Sequence, residues 1–84
     1  MGEPDVLQRV GARVRAVRSG RGLTQRAVAE RAGLSRASVA NVEAGRQNLG
    51  LLQLEALAGA LGVQVERLMG AECAEHGRVD SHFP

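Results

Sequence analysis

The sequence predicts an all-α fold, a bundle of five short helices in one small domain. Three observations predict it. Valines and leucines recur every three or four residues along most of the chain, the period of helices with one buried side. Glycines and hydroxyl residues punctuate that pattern where helices should stop and start. Between Gln25 and Ala44, small and apolar residues fall where two closely crossed helices would have to touch.

Val6, Val10, Val14 and Val17 define helix one, which should end near Gly20 or Gly22. Thr24 offers the N-cap of helix two, Gln25 to Ala32, which carries Val28, Ala29 and Ala32 before Gly33 ends it. Ser35 caps helix three, whose apolar side is Val39 and Val42 and which should stop at Gly45. With only Gly33, Leu34 and Ser35 between them, helices two and three must meet at a steep angle. Helix four runs from about Leu51 to Leu61, with Leu51, Leu54, Leu57, Ala58 and Leu61 as its buried stripe. Leu49, ahead of a Gly50 cap, should meet Leu54 as a hydrophobic staple. A short fifth helix brings Val65, Leu68 and Met69 into the same core. The domain is thus placed at residues 5 to 70, and residues 71 to 84 are expected to form a flexible tail.

Composition narrows the function. In 84 residues a deep catalytic cleft is hard to fit. The single cysteine, Cys73, suits a reducing cytoplasm, and no apolar run is long enough to span a membrane. The net charge of +2 is unevenly spread. Residues 1 to 46 hold nine arginines against four acids, and residues 47 to 84 two arginines against five acids. A basic front half facing a polyanion is the simplest physical reading, with a solvated charged face as the bland one. All eleven basic residues are arginine, which suits bidentate contacts to phosphate and guanine, although codon bias accounts for it equally well.

The window that begins at Gln25 reads as a helix-turn-helix: Val28, Ala29, Ala32, Leu34, Val39 and Val42 form the contact between the two helices, and Gly33 makes the turn. Through "RVRAVRSGRGLTQRAVAERAGLSRASVANVEAGR" and "LEALAGALGV", roughly Val10 to Met69, the chain resembles the Cro and phage-repressor type, or XRE-like, helix-turn-helix regulators. The resemblance implies a lambda-repressor-like five-helix bundle that binds double-stranded operator DNA. Binding would be as a two-fold dimer on a pseudo-palindromic site, with the third helix in the major groove. The sequence departs from the family at Leu49 and Gly50, where members often have Pro and then Ser or Thr.

At roughly 100° per residue, Val39 and Val42 point one way from helix three, and Ala37, Asn41 and Ala44 the other. That outer side is short and polar, fit to enter a groove. By resemblance Arg36, Ala37 and Asn41 read bases, with Ser38 as a possible fourth. Chemically, Arg36 matches guanine O6 and N7, Asn41 matches adenine N6 and N7, and the Ala37 methyl meets a thymine methyl.

Gln25 opens helix two, where free amides and the dipole favour a phosphate, and family members use this glutamine on the DNA backbone. Thr24 and Ser35 can cap their helices, donate to phosphate, or do both. Arg46 and Asn48 match a phosphate-touching region of relatives, with a solvated loop as the alternative. The family also often pairs a glutamate at Glu43 with an arginine at Arg18, implying a structural ion pair between helices three and one. Leu52 falls off the buried stripe of helix four and, with Val65, Leu68 and Met69, is the expected dimer surface.

Other signals are weaker. "GRGLTQ" lacks the third glycine and the preceding strand of a dinucleotide site. Cys73, His76 and His82 lack a fourth ligand, so no metal is expected. Both histidines lie in the tail, away from Ser35 and Ser38, so no enzyme is expected, nor any cofactor or small-molecule effector. The tail from Glu72 to Pro84 should be dispensable for DNA binding. The expected function is a transcription regulator: a phage-type repressor, an autoregulating controller of a restriction-modification system, or a DNA-binding antitoxin. The alternative is a protein-interaction module that keeps the fold with little DNA binding of its own.

Overall fold

Five helices follow one another: α1 (Val6–Gly20), α2 (Gln25–Ala32), α3 (Arg36–Glu43), α4 (Leu51–Leu61) and α5 (Val65–Met69). They come from a computed structural model that describes residues 5–69. The predicted tail and the weighed residues Cys73, His76 and His82 lie outside the described residues.

Each helix start has a local chemical cause. Asp5 accepts from the Gln8 amide at 2.9 Å, and Gln8 Oε1 accepts from the Asp5 amide at 3.3 Å, a reciprocal cap for α1. Thr24 Oγ1 and Ser35 Oγ accept from the amides of Ala27 and Ser38, each at 3.0 Å. At α4 the N-cap is Gly50, with no side chain to offer, and Gln53 Oε1 reaches back to its N–H at 3.1 Å. α2 ends as Gly33 takes φ of +73°, letting the Leu34 amide bond the Ala29 carbonyl at 2.9 Å.

The core is Val10 and Val14 from α1, Val28 and Ala29 from α2, Val39 and Val42 from α3, five residues of α4, and Leu68. α1 packs on α3, α2 on both α3 and α4, and α5 on α1 and α4. α1 approaches α3 so closely that a Cβ on Gly11 would sit 2.1 Å from the Val42 carbonyl oxygen. Only glycine fits there.

Three sequence expectations need correction. Leu51, placed on the buried stripe of α4, is 73% exposed, because it stands on the first turn, ahead of Leu54 where the buried residues of the helix begin. Val6 is likewise 56% exposed on the first turn of α1, one turn ahead of the buried Val10. Leu68, assigned to a dimer surface, is wholly buried in the monomer's own core and presents nothing to a second copy. Val65 and Met69 are half-buried against that core, and Leu52 is 80% exposed. Among the described residues, the adjacent Leu51 and Leu52 are the most exposed large apolar side chains, ahead of Val6.

Candidate nucleic-acid interface

α3 owes its orientation to Val39 and Val42, which anchor it in the core. Arg36, Ala37 and Asn41 are consequently exposed, and Ser38 is half-buried beside them. Ala37 and Asn41, four residues apart, share one face, and Arg36 occupies the first helical position next to it. The outward side carries a methyl, an amide and a guanidinium, with no acidic group among these three.

Behind this face lies a polar network that spans three helices. Arg18 of α1 donates to Glu43 at the end of α3 through Nε at 2.6 Å and Nη2 at 3.1 Å. The two side chains are only 15% and 5% exposed. Arg18 Nη1 also bonds the Leu23 carbonyl at 2.9 Å, fixing the loop ahead of α2. The expected ion pair between α1 and α3 is therefore present, and it is bidentate, the stronger form of an arginine–carboxylate contact. Gln25 joins it: its Nε2 donates to Glu43 Oε1 at 3.0 Å, and its Oε1 accepts from Arg36 Nη1 at 3.4 Å.

The residues expected to meet phosphate divide into two groups. Thr24 and Gln25 line one shallow hollow with Arg18, Leu23, Arg26 and Arg36, and no carboxylate is part of that lining. Ser35 stands exposed at the start of α3, with its oxygen occupied by the Ser38 amide. A hydroxyl that accepts retains its hydrogen, so Thr24 and Ser35 can cap and donate at once. Arg46 and Asn48 lie beyond the end of α3, both exposed, and the Arg46 amide is tied back to the Asn41 carbonyl at 2.9 Å.

Two arginines went unnoticed in the sequence. Arg26 shares the hollow with Gln25, and Arg15 lines a neighbouring one with Arg18, Gln25 and Glu43. A position in the first turn of α2 signals Arg26, and the three-residue spacing from Arg18 signals Arg15.

The helix-turn-helix family HTH_3 matches residues 14–68. The immunity repressor protein of Bacillus phage phi105 is 51% identical over 63 residues, covering 75% of this chain and 44% of the relative. The chain thus spans less than half the length of that relative. The restriction-modification controller protein C.AhdI from Aeromonas hydrophila is similar in structure, with a TM-score of 0.72 and 37% identity across 74% of this chain and 94% of its own. The clp gene regulator ClgR from C. glutamicum has a TM-score of 0.76 at 30% identity, over 79% of this chain and 86% of its own.

Proposed function

The chain belongs to the helix-turn-helix family HTH_3, and from that premise we propose that it regulates transcription as a repressor, binding a pseudo-palindromic operator as a homodimer. The observation that carries this is α3, buried through Val39 and Val42 and open through Arg36, Ala37 and Asn41. Such a helix offers a major groove one guanidinium for guanine, one amide for adenine and one methyl for thymine. The half-buried Ser38 is the fourth candidate at its edge.

Thr24, Gln25 and Ser35 at the two helix starts, with Arg46 and Asn48 beyond α3, hold the DNA backbone in this reading. Gln25 has a second amide hydrogen beyond the one given to Glu43, and the first turn of α2 presents the positive end of its dipole. Leu52, with Leu51 beside it and the half-buried Val65 and Met69 of α5, supplies the surface for a second copy. The similar proteins, an immunity repressor, a restriction-modification controller and a gene regulator, support regulation over catalysis.

Likeness to a restriction-modification controller across nearly its whole length favours one second reading, an autoregulating controller protein. Both readings share the DNA contact. Selection of duplexes from a random pool tests it: the enriched set should contain two half-sites in inverted orientation, centred about one helical turn or roughly 10 base pairs apart. A pool that stays unenriched while the protein remains folded would sink the DNA reading and favour a protein-interaction module.

A further inference from the structure

We propose that an arginine lane, running from the start of α3 past the α1–α2 loop to α5, binds the phosphate backbone of DNA flanking the operator, with Arg21 and Arg67 as its contacts. The inference rests on the reading in which α3 enters a major groove. Three shallow hollows lie in a row. The first holds Arg26 and Arg36 beside Gln25, and Leu23 is part of its lining. Leu23 also lines the second, together with Arg21 and Arg31. Arg21 and Gly62 are shared by the second and the third, where Arg67 stands. The surface is thus continuous from the DNA-reading side of the molecule to α5.

Charge and chemistry select the occupant. Arg21, Arg26 and Arg67 are exposed, and their guanidinium groups form no hydrogen bond or ion pair with another described residue. Their donors are free for a ligand, and the planar fork matches a phosphate. Arg31 is engaged in part, donating to the Ala60 carbonyl at 3.4 Å. No carboxylate lines the first two hollows, and Glu66 is the one in the third. Direction then favours DNA beyond the half-site. Arg67 stands two residues from both Val65 and Met69, which at roughly 100° per residue sets it about 160° from each around α5. It therefore faces away from the surface proposed for the second copy. In a two-fold complex that outer side is where the duplex leaves the half-site, and the duplex brings an unbroken row of phosphates with it.

The test uses two versions of the duplex selected from the random pool. One ends at the half-sites, and the other is extended on each side by arbitrary sequence for about one helical turn, roughly 10 base pairs. Wild type should bind the extended duplex more tightly, with a salt slope steeper by about two units per protomer, one for each phosphate-bound arginine. Arg21→Ala and Arg67→Ala should each remove about one of those units and leave affinity for the short duplex within about twofold of wild type. Glu66→Gln takes away the lane's carboxylate and should enlarge the gain from the flanks. A gain that survives in the Arg21→Ala, Arg67→Ala double variant would come from duplex length alone and would overturn the proposal. Equal losses on the two duplexes would overturn it as well. So would a wild type that gains nothing from the flanks, which would leave the lane to an acidic protein segment. If wild type binds neither duplex, the DNA reading itself has failed, whereas tight binding of the short duplex with no flank effect sinks the lane alone.

Discussion

Arg18 and Glu43 clamp α1 to α3 through two contacts, of 2.6 and 3.1 Å, at a site where the carboxylate is 5% exposed. A buried pair does not necessarily add net stability, since both ions give up water to form it. Its loss by halves is another matter.

Arg18→Ala leaves the Glu43 carboxylate buried with the hydrogen bond from Gln25 but without its cation, and should destabilise the fold by about 3 kcal/mol. Replacing both residues by leucine removes the charge problem together with the pair, and stability should return to within about 1 kcal/mol of wild type. Urea denaturation of the single and double variants checks this. A double variant as unstable as Arg18→Ala would mean that the pair supports the fold by more than mutual neutralisation.

Two glycines should respond in opposite ways. Gly11→Ala pushes a methyl against the Val42 carbonyl oxygen and should cost about 3 kcal/mol, because backbone on backbone cannot yield without parting α1 from α3. Gly59, inside α4, has nothing within 4 Å of an added Cβ, and Gly59→Ala should stabilise by about 0.5 to 1 kcal/mol. Thermal melts of the two variants should move in opposite directions.

Leu51 and Leu52 stand 73% and 80% exposed, side by side at the start of α4. If they form the surface for a second copy, the wild type should sediment as a dimer at micromolar concentration. The Leu51→Glu, Leu52→Glu double variant should remain helical and sediment as a monomer. A wild type that stays monomeric up to about 100 μM, alone and on DNA, would count against the dimer.

Residues that face the core along the middle of a helix were legible in the sequence. Val14, Val28, Val39, Leu57 and Leu61 keep the helical period and are all buried. Gly33 was legible as well, since a turn of three residues needs a left-handed one. Legibility fails at helix ends, where periodicity continues but the neighbouring helix does not, and so Val6 and Leu51 were misplaced. α4 is apolar nearly all round, which leaves period alone unable to choose between Leu51 and Leu52. Leu68 could not serve both the core and a partner, because α5 has only five residues and the core takes its largest inward side chain. The need for glycine at position 11 is a distance between helices, to which a helical pattern is blind. In the candidate site, the outward face of α3 followed from its buried face. The tie between Gln25 and Glu43, eighteen residues apart, depends on how α2 crosses α3.

In the proposed complex Arg36 reads sequence while Arg46 holds the backbone, and fluorescence anisotropy on preferred and scrambled duplexes over a range of salt concentrations tells the two roles apart. Arg36→Ala should cost about 1 to 3 kcal/mol on the preferred duplex, far less on the scrambled one, and relax preference at one base pair. Arg46→Ala should weaken both duplexes alike and lower the salt slope by about one unit, since a phosphate is the same in every sequence. Equal losses on the two duplexes for Arg36→Ala would contradict the claim, making Arg36 a backbone anchor and moving base recognition to Ala37, Ser38 and Asn41.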